Sequence, residues 1–105
     1  MSYYHTGRHL YVKRHKEEKS DAQYFHSKGR ARERYGIHLS RNVYNAWIKA
    51  IQGLDDTITV RPLGQESRSL THFAISWGGQ EIPVVYDRNR KTIKTVLPLS
   101  GLNGP

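Results

Sequence analysis

Gly78-Gly79 stands between two eight-residue runs, Leu70–Trp77 and Gln80–Asp87, both dominated by β-branched, aromatic and other apolar side chains. A two-glycine link supplies the positive φ that a tight hairpin turn requires, so the flanking runs read as antiparallel partners. Two more runs of strand length, Thr57–Leu63 and Thr92–Leu97, lie on either side of this pair. Arg88-Asn89-Arg90 makes the next tight connection, with Asn89 as the residue suited to positive φ. Gly64–Ser69 reads as a looser polar loop. These four strands in chain order describe an antiparallel meander.

The preceding segment has a different period. Asp21 reads as the N-cap of a helix passing through Tyr24, Phe25 and Ala31 to Tyr35, with Gly36 as its stop. Gly29 weakens that helix by about 1 kcal/mol relative to alanine. Ser40 caps a second helix whose Val43, Trp47, Ile48 and Ile51 share a stripe, and Gly53 ends it. The expected architecture is α+β: two N-terminal helices packed on a four-stranded antiparallel β-meander. One sheet face is then covered by helix and the other is expected to be free.

Strand periodicity assigns some side chains to faces. In Leu70–Trp77, the large set Phe73, Ile75 and Trp77 should meet the helices, leaving His72 and Ser76 on the open face. In Gln80–Asp87 the alternation chooses no face, so Tyr86 reads equally as core or as site. Pro83 has no ladder donor and suggests an edge or a bulge. In the last strand, Thr95 shares a side with Ile93 and Leu97, and Lys94 one with Thr92 and Val96.

Charge narrows the class. Among 105 residues, 17 Lys and Arg oppose 9 Asp and Glu, a net charge of +8. A domain this basic has a polyanion, most commonly nucleic acid, as its natural partner. Mean hydropathy is −0.75, and no apolar run approaches the roughly 20 residues of a membrane span. The first residues lack the apolar core of a secretory signal. The chain has no cysteine, which excludes a disulfide scaffold and thiolate catalysis and fits a cytoplasmic setting.

Residues 1–36 carry nine of the basic residues against four acidic ones. Residues 1–20 read as a basic arm in which Arg8, Lys13, Arg14 and Lys16 attract nucleic acid, or as a solvated tail that aids solubility. Residues 21–98 form the single domain, and residues 99–105 read as a flexible C-terminal tail.

On the first helix, His26, Arg30 and Arg34 recur every four residues, with Glu33 beside them. At 3.6 residues per turn they form one polar stripe. Guanidinium forks match phosphate oxygens and an imidazole moves protons near neutral pH, so the stripe suits a phosphate ester. The plainer reading is a solvated helix face with Glu33 in exposed ion pairs. Lys28 and Arg32 add charge for nucleic-acid contact. His5 and His9 have a metal-ligand spacing only if helical, which Gly7 opposes, and no carboxylate or thiolate set completes a site; no metal or cofactor is expected. Neither a phosphate-cradling glycine loop nor a serine-nucleophile turn is present.

His26 through Ile37, the second helix ending Ile51-Gln52-Gly53, Ile82-Pro-Val-Val-Tyr86-Asp87 and Ile93-Lys-Thr95-Val-Leu97-Pro98, taken in order, resemble the RelE-like (barnase–EndoU–colicin–RelE) superfamily over about residues 22–98. The likeness is to small bacterial and phage members with a helical His-x3-Arg-x2-Glu-Arg segment. The resemblance implies a toxin-like endoribonuclease that cuts RNA without a metal. It carries over to His26, Arg30, Arg34, Tyr86 and Thr95, and His72 joins them from the strand reading as a further imidazole. Partners implied are RNA and, for the arm, a larger assembly such as a ribosome, or a cognate antitoxin or host protein. The alternatives are a non-catalytic nucleic-acid-binding module, or a small phage-type protein that blocks a host protein.

Overall fold

A computed structural model describes residues 20–105. It shows two helices followed by a four-stranded antiparallel sheet. Helix α1 covers residues 20–35 and α2 spans Arg41–Ile51. The strands are β1 (Val60–Gln65), β2 (Leu70–Trp77), β3 (Gln80–Asp87) and β4 (Thr92–Val96), hydrogen-bonded in the order β1-β2-β3-β4. A 3-10 helix, Leu99–Asn103, follows. The Gly78-Gly79 turn has φ of 59° and 80°, the two positive values that the tightest hairpins demand.

Ser40 caps α2 as its sequence suggests, accepting from the Val43 amide at 3.2 Å. Asp21 does not cap α1, because Ser20 is already helical; its carboxylate instead meets Arg41 of α2 at 3.1 Å. The buried stripe of α2 is centred on Tyr44, Trp47 and Ala50, with Val43, Ile48 and Ile51 half-buried at its margins. A tyrosine can occupy that centre because its hydroxyl donates to the Ile93 carbonyl at 2.7 Å. Burial pushes the Tyr44 phenol up to about 12 against that bond, so the hydroxyl stays a donor at neutral pH. Tyr24 packs edge-on against Tyr44 at 5.0 Å, and Trp47 against Trp77 at 5.8 Å.

Both helices serve the β4 side of the sheet, in different ways. Helix α2 packs over the face carrying Ile75, Ile82, Val84, Ile93 and Val96, all of which are fully buried. Helix α1 runs alongside β4 and lays polar groups along it. Ser27 donates to the Ile93 carbonyl, Arg34 to Val96 and Tyr35 to Leu97, at 3.2, 2.6 and 2.6 Å. An exposed sheet edge invites unwanted strand pairing, and these side chains occupy its acceptors.

Several expectations about the sheet change. β1 starts at Val60 rather than Thr57 and runs on to Gln65, into the segment read as loop, with a register shift between Pro62 and Gly64. Pro83 lies in a central strand, not at an edge or bulge. Its carbonyl accepts from Leu97, one residue beyond the end of β4. In an antiparallel strand a residue's nitrogen points the same way as its carbonyl, so the missing donor falls where the ladder has already ended. The positive φ in the β3–β4 turn belongs to Lys91, at 56°, not to Asn89.

The second sheet face is not free along its centre. Ala74, Pro83 and Val85 are buried there, and the segment expected as a flexible tail folds as the 3-10 helix and packs on β3. A Cβ on Gly101 would stand 2.8 Å from the Leu97 Cβ and 3.2 Å from that of Pro83. Gly101→Ala is therefore expected to lift this helix from the sheet at a cost of about 1–3 kcal/mol, read as a lower urea midpoint.

Asp87 joins α1 to the β3–β4 turn. Its carboxylate accepts from Gln23 at 3.1 Å, from the Asn89 and Arg90 amides, and from the Arg90 guanidinium. Burial alone would raise its pKa, but these bonds together outweigh it and hold the group below the usual value. A depressed carboxylate stabilises the fold above its unfolded pKa and ceases to do so as pH falls through the folded value. Asp87→Asn is thus expected to cost about 1–2 kcal/mol at neutral pH. The gap between variant and parent should close below about pH 4 in thermal melts.

Candidate functional site

A β-bulge decides what the last strand presents. Between Val85 and Tyr86 the β3–β4 register shifts, so Ile93 and Val96 both face the core while Thr95 pairs with Val85 on the opposite face. Simple alternation, which groups Thr95 with Ile93 and Lys94 with Val96, fails at this extra residue. Lys94 and Thr95 instead emerge side by side at the flank of α1.

There they meet His26. The imidazole Nε2 lies 2.8 Å from the Thr95 hydroxyl oxygen, across 69 residues of sequence. Ala22, Gln23, His26, Lys94 and Thr95 line one cleft of about 360 Å³. Gln23 also bonds the Thr92 hydroxyl and the Asp87 carboxylate, which fixes the cleft floor to the turn. The imidazole is exposed and its orientation is set by Thr95. With Nε2–H donating to Thr95, Nδ1 carries the lone pair that can accept a proton.

Arg30 stands one turn further along α1, its guanidinium 2.9 Å from the Glu33 carboxylate. Both groups are well exposed, and such pairs contribute only about 0–1 kcal/mol, so a phosphate can displace Glu33 with little loss. Arg34 serves the structure, with Nη1 donating to the Val96 carbonyl. Lys28 lies 6.0 Å from the Tyr24 ring centroid, on another side of α1 from the cleft, and Arg32 is exposed.

The other two expected site residues do not join this cluster. Tyr86 lies on the helix-covered face, where its hydroxyl accepts from Gln52 at 2.9 Å and its ring packs against Phe73. The sheet itself separates it from Thr95. His72 does share a face with Thr95, but Val85 intervenes on the same cross-strand row. Two strand spacings of nearly 5 Å keep the imidazoles from one phosphate. His72 is buried rather than lining an open face, with Nε2 2.7 Å from Glu66 and Nδ1 without a partner among the described residues.

Arg8, Lys13, Arg14 and Lys16, with His5 and His9, lie outside the described residues. Sequence reading misses Gln23 and Lys94. Gln23 sits three positions before His26, on the same helix face, and is legible by spacing; Lys94 depends on a bulge that no residue type announces. Among the described residues no three His, Asp or Glu gather as a metal site, and no helix is long and apolar enough to cross a membrane. Comparison with family models, with curated proteins and with solved structures finds no match to the chain.

Proposed function

We propose that this domain is a metal-independent endoribonuclease that holds an RNA phosphate in the cleft of His26, Lys94 and Thr95. The observation that carries the reading is the 2.8 Å meeting of His26 and Thr95 beside a lysine, in a cleft otherwise free of carboxylates. His26 comes from α1 and Thr95 from β4, 69 residues apart in sequence. The net charge of +8 and the RelE-like resemblance support the same reading.

The chemistry needs few groups. Neutral His26 takes the proton of a ribose 2′-hydroxyl, and the 2′-oxygen bonds to the adjacent phosphorus. The bond from phosphorus to the 5′-oxygen breaks, leaving a 2′,3′-cyclic phosphate and, after that oxygen gains a proton, a 5′-hydroxyl. The Thr95 hydroxyl steadies the imidazole, while Lys94 and Arg30 offset charge on the phosphorane and on the leaving oxygen. Structured RNA incubated with the full chain in EDTA should yield fragments with cyclic-phosphate ends. RNA left intact, with fresh enzyme at high concentration, removes the catalytic reading.

One observation favours a second reading, a non-catalytic RNA-binding module. The cleft has one imidazole, and the other one on that face is buried against Glu66. On that reading RNA binds without being cut, with an affinity that falls steeply as salt rises.

A further inference from the structure

A second cleft, also of about 360 Å³, opens between α2 and the β3–β4 turn, beside the first turn of α1. Arg41, Lys49 and Lys91 line it with Asn45, Gln52 and Thr92, and no carboxylate is part of that lining. The Arg41 guanidinium is turned toward α1. Asp21 holds it at 3.1 Å and the Tyr24 ring lies 4.0 Å from its guanidinium carbon. Asp55 lies within the field of Lys49, and Asp87 is engaged beneath the turn by Gln23 and Arg90. Arg88 and Arg90, in the same turn as Lys91, are exposed as well.

Lys91 supplies an independent observation. Its φ of 56° lies in the left-handed region, where glycine is the unstrained choice and a long side chain is disfavoured. The turn thus holds a cationic residue at a position where the backbone favours having no side chain, and that residue lines a basic cleft. Backbone strain kept at a ligand-facing position is a recurrent mark of a functional site.

We infer that this cleft is a second phosphate subsite, which takes the backbone of the same RNA strand that enters the His26 cleft. The inference rests on the RNA reading above for the identity of the ligand. Both clefts border β4, on either side of the sheet: Thr92 lines one, Lys94 and Thr95 the other, and the Gln23–Thr92 bond stands between them. Three strand residues cover roughly 10 Å and β4 is an edge strand, so a single RNA strand that contacts both passes round that edge. Lysine ammoniums and an arginine fork suit successive phosphate oxygens, while Asn45 and Gln52 offer hydrogen bonds to sugar or base edges.

The test uses the isotope-labelled full chain and a 2′-O-methyl RNA oligonucleotide, which binds but cannot be cut. Amide signals of Lys49, Lys91 and Thr92 should move together with that of Thr95. Combining Lys49→Gln with Lys91→Gly should lower the slope of log affinity against log salt by about 1.4, or roughly 0.7 for each phosphate of the single strand that is no longer neutralised. Lys91→Gly alone should melt at or above the parent temperature, because it relieves the left-handed backbone, so weaker binding cannot be assigned to unfolding.

An unchanged salt slope, or movement at Thr95 alone, overturns the second subsite and leaves the His26 cleft standing. Movement at Lys49 and Lys91 without Thr95 overturns the shared strand and removes the His26 reading with it. Inorganic phosphate matching the oligonucleotide in affinity would overturn the strand-binding role, since the cleft would then hold only a small anion. If neither cleft responds, both readings fail.

Discussion

Replacing His26 by alanine is expected to slow RNA cleavage in EDTA by 10²–10⁴-fold, the usual range for losing a positioned general base. Binding of an uncleavable RNA should change far less, because Lys94, Arg30 and the second basic cleft remain. Thr95→Val should act through orientation. It keeps the shape of the side chain but removes the hydroxyl 2.8 Å from Nε2, so turnover should fall by roughly 10-fold with binding preserved. Thr95→Ser should restore most of it. Cleavage by His26→Ala at the parental rate would place the base elsewhere and end the role given to this residue.

The sequence signals that prove reliable are local ones. Glycine pairs, the Ser40 cap and eight-residue apolar runs act within a few residues of themselves, and β2 and β3 fall on the bounds those signals mark. The errors arise where a tertiary partner overrides the local rule. Pro83 is tolerated mid-sheet only because β4 stops beside it. Lys91 takes the left-handed turn position that suits Asn89 better by residue type. The C-terminal residues look like a tail until Gly101 is seen to fit against Leu97 and Pro83.

The site follows the same division. The stripe of His26, Arg30 and Arg34 is legible from helical spacing, but spacing does not reveal which guanidinium is consumed by structure. Arg34 is drawn to the Val96 carbonyl, whereas Arg30 has only an exposed glutamate. The bulge in β4 brings Lys94 and Thr95 to the cleft and turns Ile93 and Val96 inward. Tyr86 is ambiguous by alternation, and the bulky apolar set on β2 settles its face through the cross-strand pairs. What a side chain can do is readable; which neighbour it must satisfy first is not.

Trp47→Ala is expected to be the most damaging core substitution. Trp47 is fully buried and central to the packing of α2, touching Trp77 near the hairpin while its neighbour Tyr44 reaches β4 and α1. Truncating a buried tryptophan typically costs about 3–5 kcal/mol. A small domain has only about 5–15 kcal/mol in total. At about 4–8 °C per kcal/mol for a domain of this size, the melting temperature should fall by roughly 12 °C or more. Trp47→Phe provides the contrast. The indole Nε1 is buried with no partner among the described residues, and an unsatisfied donor costs about 1–3 kcal/mol. Phenylalanine sheds that donor and keeps a ring against Trp77, so its urea midpoint should lie well above that of the alanine variant. Equal losses for the two would show that the indole nitrogen has a partner worth as much as the ring. Because α1 reaches the sheet partly through Tyr24 on Tyr44, loosening α2 also frees His26 from Thr95. Residual cleavage by Trp47→Ala should therefore disappear at temperatures below its global melt, while Trp47→Phe remains active.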